Sequence, residues 1–260
     1  MCRHSVTRFS GVSGGERFLI DGQSLTAEEC RRLFAKAELS PRQQMVLSLI
    51  EGRDVVDIGC YAGLFVDAAS ARHPDKNVVG VDYFDDNVRL AKLLFPARAE
   101  KFRRMSVYKL DFASDSIDCV TLQEVIEHLE GAALAVKEIN RVLKPGGLLI
   151  VTCPNPFYWR HVLAFTLYES RNRLRRLFGR PPTLFNQIYF GNVEWNRHVY
   201  AWTPDTLLTL LQVNGFGYVF HTYEQPSGFL DRLVLSVFPF FGPTQILKVR
   251  KAGNAPAQLV

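Results

Sequence analysis

The stretch Val55-Val56-Asp57-Ile58-Gly59-Cys60-Tyr61-Ala62-Gly63 decides the fold. An apolar run ends in an acid, two glycines bracket three small or variable residues, and Leu64-Phe65-Val66 opens a helical pattern. That is the order of a buried strand, a tight turn and a helix start, which brings backbone close to a nucleotide-like ligand. The spacing is Asp-x-Gly-x-x-x-Gly, not the Gly-x-Gly-x-x-Gly of a dinucleotide site. An acid just before the first glycine suits a ligand with an ammonium group, not one with a pyrophosphate. S-adenosylmethionine is such a ligand.

Upstream, residues 1–23 are rich in Ser and Gly and read as a loose arm. Thr26-Ala27-Glu28-Glu29 is a capping box that predicts a helix to about Leu39. Ser40-Pro41-Arg42-Gln43 repeats the logic, with Pro at the first helical position, for a helix ending near Glu51-Gly52. Downstream, strand and helix patterns alternate: strand 53–58, helix 64–73, strand 77–82, helix 85–95, a weak strand at 104–108, strand 117–122, helix 131–143 and strand 148–153. Such alternation implies a parallel sheet with helices on both faces. Pro154-Asn155-Pro156 breaks the rhythm, and 157–178 reads as a long arginine-bearing helix followed by an irregular loop over 181–198. Thr203-Pro204-Asp205 restarts a helix to Asn214-Gly215, and 217–223 with 244–250 are expected to form an antiparallel hairpin. The expected units are therefore an N-terminal arm with helices (1–52), an α/β core (53–153), an inserted lid (154–200), a helix and hairpin completing the sheet (201–250) and a tail (251–260).

Composition sets bounds. A chain of 260 residues with 47% hydrophobic content can bury a full core, and bulk disorder does not fit it. Cys2, Cys30, Cys60, Cys119 and Cys153 are scattered without a C-x-x-C pair, so neither a zinc site nor a disulfide framework is expected. Met1 to Ser10 has no apolar core of a secretory signal, and Leu233 to Phe241 is too short to span a bilayer. The expected location is the cytoplasm. A net charge of +5 is compatible with an anionic substrate without specifying one.

Asp82 closes Val78-Val79-Gly80-Val81, where an acid reaches ribose hydroxyls in a Rossmann-like unit; the alternative reading is a cap for the helix after Phe84-Asp85. Taken in order, Asp57 to Gly63, Val79-Gly80-Val81-Asp82, Ser116-Ile117-Asp118-Cys119-Val120, Glu124-Val125-Ile126-Glu127-His128-Leu129, Leu143-Lys144-Pro145-Gly146-Gly147 and Asn214-Gly215-Phe216 resemble a class I S-adenosylmethionine-dependent methyltransferase of the branch that includes the ubiquinone-biosynthesis type. The resemblance covers about 50–220. It implies a Rossmann-like, seven-stranded, mostly parallel sheet with a reversed last strand and an inserted helical lid. It also implies cofactor contacts from Asp57, Gly59, Cys60, Tyr61, Gly63, Asp82 and its neighbour Tyr83, with Gln123 and Glu124 beside the methionine part or the acceptor. Two departures stand out. Tyr61 replaces a glycine common in the family, and Ser106 falls where an adenine-binding acid is usual, leaving that role to backbone near Val107 and to Phe112.

Methyl transfer is an in-line displacement, so alignment of nucleophile and methyl is the main task, and orientation can contribute roughly 7–11 kcal/mol. A hydroxyl nucleophile also needs a base, commonly His near neutral pH. His128, next to Glu127 after the fourth core strand, leads; His198, late in the insertion, is the rival; His161 and His221 suit packing roles. The 157–180 helix mixes apolar residues with Arg160, Arg171, Arg173, Arg175, Arg176 and Arg180, which fits either a solvated lid or contact with an anionic membrane surface or phosphate. No Lys-rich tail or stacking platform points to RNA. The expected reaction is O-methylation of a small-molecule, sugar or lipid-linked acceptor. A non-catalytic binding module is the alternative, and a nicotinamide-dependent oxidoreductase is opposed by the glycine spacing.

Overall fold

The computed structural model describes residues 6–9, 17–20, 23–183, 199–225 and 228–253. At its centre is a seven-stranded sheet built from β4 (Asp54–Ile58), β5 (Asn77–Asp82), β6 (Phe102–Arg104), β7 (Ile117–Gln123), β8 (Leu143–Pro154), β9 (Phe216–Tyr223) and β10 (Thr244–Lys251). The strand order is β6-β5-β4-β7-β8-β10-β9. β10 runs antiparallel to both of its neighbours, while β4 to β8 pair in parallel. From β4 the chain moves outward to β5 and β6, then returns to β7 on the other side. That places a topological switch point at the carboxyl end of β4, where ligands bind in open α/β sheets.

The strands form because their runs are apolar on both faces. Val55, Val56 and Ile58 of β4, and Val78, Val79 and Val81 of β5, are all buried, as a sheet covered on both sides requires. One face packs against α5 (Ala132–Val142), whose Ala135, Val136, Ile139 and Val142 are fully enclosed. The other packs against α2 (Pro41–Leu49) and α3 (Leu64–Arg72), through Val46, Phe65, Val66 and Ala69. Both predicted capping boxes are present: Thr26 with Glu29 starts α1 (Ala27–Phe34), and Ser40 with Gln43 starts α2. Helices α4 (Asp85–Leu94), α6 (Trp159–Leu177), α7 (Pro204–Val213) and α8 (Phe229–Val237) complete the described set.

Several expectations are corrected. The N-terminal segment is not a loose arm: β1 (Val6–Phe9), β2 (Arg17–Ile20) and β3 (Gln23–Thr26) form a separate antiparallel sheet. Phe18 and Ile20 alternate inward along β2 and pack with Cys30, Ala62 and Leu90, a period of two that the Ser/Gly content obscured. Helix α1 stops at Phe34 rather than near Leu39. The weak strand lies at 102–104, and the residues after it turn back through a Ser106–Lys109 bridge. Strands β9 and β10 pair antiparallel as expected, but α8 intervenes between them, so they are not a tight hairpin. Lys251 belongs to β10 rather than to a tail; its ammonium donates to the carbonyls of Asn140 and Leu143.

Candidate active site at the carboxyl edge of the sheet

β4 delivers Asp57 to the switch point with its side chain 2% exposed. Its Oδ1 accepts from the Thr121 hydroxyl at 2.6 Å and the Gln123 amide at 3.2 Å. Burial, only partly offset by these bonds, pushes the Asp57 carboxyl up to about 6.

The turn after Asp57 hangs from the end of β5. The N–H groups of Gly59 and Cys60 both donate to the Val81 carbonyl, at 2.8 and 3.1 Å. Gly59 has φ +78°, and a Cβ there would sit 2.4 Å from Val125 Cγ2. Gly63, the residue before α3, has φ +79°, and a Cβ there would sit 2.6 Å from the Phe102 ring. Both positions therefore require glycine for conformation and for space. Tyr61 adopts φ 47° without being glycine. Its ring turns toward Phe34 of α1, 6.4 Å between centroids, and packs on the cluster containing Phe18 and Leu90. The departure from glycine thus ties the turn to the N-terminal layer.

Asp82, 5% exposed, holds the other side. It accepts from the Tyr61 N–H at 2.9 Å through Oδ2, and from the Phe84 N–H at 2.9 Å and the Asn87 amide at 3.0 Å through Oδ1. Burial raises its carboxyl above the usual range. Asp82 does not cap α4, whose N-cap is Phe84 without a side-chain cap bond, but its bonds to the Phe84 and Tyr61 N–H groups restrain the entry to the helix as well as the glycine turn. Tyr83 and Phe84 stand exposed beside it, with rings 5.4 Å apart. The Met105 N–H donates to the Asp82 carbonyl at 2.9 Å, which keeps the segment leading to Val107 at the same edge; the Val107 side chain itself is buried in the main core. Phe112 is partly buried against the same core cluster as Val107, and its carbonyl accepts from Arg141 in the last turn of α5.

The residues after β7 make an acidic floor. Gln123 donates to Asp57, while its Oε1 is buried with no hydrogen-bond partner among the described residues. Glu124, at φ 55° and 6% exposed, accepts from the Thr152 hydroxyl at 3.1 Å and pairs with Arg42 at 3.2 Å. Glu127 is 1% exposed, and neither of its carboxyl oxygens has a hydrogen-bond partner among the described residues. Burial first, then the neighbouring Glu124, push its carboxyl well above the ordinary range. His128 Nε2 lies 3.8 Å from Glu127 Oε1. The N–H groups of Val199 and Tyr200 donate to the Glu127 carbonyl at 2.8 and 3.2 Å, closing the turn from the far side of the insertion. His198 lies outside the described residues. His161 and His221 are half-buried against Tyr158 and Tyr223, and burial lowers both imidazoles, in keeping with packing roles.

Arg42 is the residue that sequence reasoning missed. It was visible only as the second residue of a capped helix. In the fold it bridges α2 to the acidic floor, lies near enough to lower Asp57, Glu124 and Glu127, and leaves its Nε buried with no hydrogen-bond partner among the described residues. Among the described residues, no group of three or more His, Cys, Asp or Glu side chains is placed to hold a metal ion.

An acidic floor with orphaned acceptors, one guanidinium with an orphaned donor, and a glycine turn without room for side chains form a receptor for a zwitterion joined to a flat, hydroxylated group. The methionine and ribose parts of S-adenosylmethionine have that chemistry, so the residues present fit this cofactor.

Comparison with known proteins agrees. Residues 56–151 match the model of a methyltransferase domain. The chain is 30% identical over 196 residues to a ubiquinone biosynthesis O-methyltransferase of Bradyrhizobium diazoefficiens, covering 73% of this chain and 68% of that protein. Among solved structures, a methyltransferase of Thermotoga maritima described as a possible histamine N-methyltransferase superposes with TM-score 0.57 at 18% identity, over 86% of this chain and 95% of that one. The [4+2]-cyclase SpnF superposes with TM-score 0.54 at 18% identity, over 82% of each chain. The cyclase shows that fold alone does not carry the reaction. The residues at the switch point and the sequence relationship together do: the chain belongs to the class I S-adenosylmethionine-dependent methyltransferases.

Proposed function

We propose that this methyltransferase methylates a hydroxyl oxygen of a small-molecule, sugar or lipid-linked acceptor, with His128 as the base. The observation that carries the reading is the closeness of the buried Glu127 carboxyl, which has no hydrogen-bond partner among the described residues, to the partly exposed His128 imidazole at the edge where the glycine turn lies.

S-adenosylmethionine supplies a methyl group on a sulfonium with a good leaving group. The work left to the protein is to orient the reactants and move a proton. Asp57 and the Gln123 side-chain oxygen would hold the ammonium group, Arg42 the carboxylate, and Asp82 the ribose hydroxyls, while the Gly59-to-Gly63 backbone would face the adenosine. Asp82 already accepts three hydrogen bonds from its own chain, so its ribose contact adds to a positioning role.

The two candidates after β7 divide the labour. Burial, with Glu124 beside it, favours the protonated form of Glu127, which suits it to fix the imidazole beside it rather than to take the acceptor's proton. His128, with its side chain 20% exposed, reaches solvent and can release what it takes. His198 remains the rival base. The relationship to a ubiquinone biosynthesis O-methyltransferase supports oxygen as the methylated atom.

The test joins two measurements. His128→Ala should leave S-adenosylmethionine affinity, by calorimetry, within about twofold and lower turnover on an active acceptor by about 100-fold or more. Full activity in that variant would reject His128, and loss in His198→Ala alone would move the base to the insertion.

A further inference from the structure

Helices α6 and α8 share an arrangement that the methyl-transfer reading does not use. Both are inserted at the carboxyl edge of the sheet: α6 follows the end of β8, and α8 lies between the end of β9 and the start of β10. They are clamped together at their first turns. The Asp231 carboxylate accepts from Tyr158, from the Trp159 indole at 2.8 Å and from Arg160 at 3.0 Å through both oxygens.

The apolar stripe of α8 faces outward. Phe229, Leu230, Leu233 and Val237 fall within one third of the helical circumference and are 79, 56, 57 and 66% exposed, while the opposite face buries Asp231 and Leu235. On α6, Leu163, Leu167, Leu174, Leu177 and Phe178 make a second outward stripe, with Phe178 77% exposed. Exposed Arg171 and Arg173 flank it on either side, and exposed Arg232 lies beside the α8 stripe. The acids nearby do not cancel this charge, because Asp231 is spent on Arg160 and Glu169 is the one remaining acid of α6.

We infer that the α6–α8 pair is a docking platform for an anionic lipid surface, seated at the rim of the active site. Charge decides the occupant: apolar stripes fringed by arginine match the boundary between acyl chains and anionic headgroups. No helix among the described residues is long and apolar enough to cross a membrane, so the contact is peripheral. Such a seat would present the active-site edge to acceptors carried in the lipid layer, and in that consequence alone it rests on the acceptor reading above.

The test is flotation of the full chain with phosphatidylcholine vesicles, with and without phosphatidylglycerol, alongside S-adenosylmethionine calorimetry. The wild type should float with the phosphatidylglycerol vesicles and largely stay behind with pure phosphatidylcholine. The double variant Phe229→Asp, Leu233→Asp should lose about tenfold or more of that binding, and Arg171→Gln, Arg173→Gln should lose the preference for phosphatidylglycerol. Both should keep the wild-type affinity for S-adenosylmethionine, so a failed platform is distinguishable from a failed methyltransferase site. Equal flotation of wild type and both variants would overturn the proposal. So would a dimer in sedimentation equilibrium that Phe229→Asp, Leu233→Asp dissociates, since the stripes would then be covered by a second copy of the chain.

Discussion

Replacing Asp57 with Asn should make the protein more stable and a worse binder of its cofactor, and the two effects should part company with pH. Burial raises this carboxyl from its ordinary 3.8 to about 6. At about 1.36 kcal/mol per pKa unit, keeping the charged form inside the folded chain costs ~3 kcal/mol. The sign follows from which state ionises first. Below about pH 3.8 both folded and unfolded chains are protonated and no cost applies. As pH rises toward 6 the unfolded chain ionises while the folded chain holds its proton, so stability falls. Above about 6 the whole cost is felt.

An amide at position 57 never ionises, and its oxygen can still accept from Thr121 and Gln123. Asp57→Asn should therefore gain up to ~3 kcal/mol at pH 8 and almost nothing near pH 4. With about 2.1 cal/mol/K of unfolding entropy per residue, that is a rise of about 5 °C in Tm at the higher pH. Urea unfolding followed by circular dichroism at both pH values measures the difference. Calorimetry of the same samples should show S-adenosylmethionine bound about 10- to 100-fold more weakly, the worth of a charged hydrogen bond. In the wild type, affinity should fall as pH drops through 6, because the ammonium then meets a neutral acid. The reasoning fails if Asp57→Asn is no more stable than the wild type at pH 8, or if its gain is the same at pH 4.

Two other substitutions separate conformation from chemistry. Gly59→Ala should cost at least ~1–2 kcal/mol of stability from its left-handed backbone, and much of its cofactor affinity, because the new methyl collides with Val125; Gly146→Ala, at φ +79° with nothing within 4 Å, is the control that should lose the strain energy alone in thermal melts. Arg42→Met strands the buried Glu124 and should destabilise by about 3 kcal/mol; adding Glu124→Gln should recover most of that in urea titrations without recovering cofactor affinity, whereas recovery of both would assign Arg42 a purely structural role.

The sheet core was legible because its strands are short apolar runs bounded by Gly, Pro or acid, and nothing but a two-sided buried strand accommodates Val55 to Ile58 or Val78 to Val81. The glycine turn was legible because positive φ and close approach leave a residue-type signature. Arg42 was not, because its partner Glu124 is brought to it only by the sheet order, and an ion pair between distant segments leaves no local pattern. The N-terminal strands were masked by a Ser- and Gly-rich composition, although Phe18 and Ile20 alternate inward along β2.

Helix α8 exposes the limit of reading hydrophobicity as burial. Leu233 to Phe241 looks like material for a core, yet Leu233, Val237, Phe238 and Phe240 are each about half exposed or more. The reason lies in what the helix must bury instead. Asp231 is the common acceptor for Tyr158, Trp159 and Arg160, and rotating α8 to hide its leucines would carry that carboxylate away from three donors and leave Arg160 unpaired. An ion pair with two added hydrogen bonds thus fixes the rotation of α8 about its axis, and the apolar stripe is turned outward as a consequence. The same clamp sets α6 relative to α8, so the orientation of both stripes depends on one buried acid at the rim of the site.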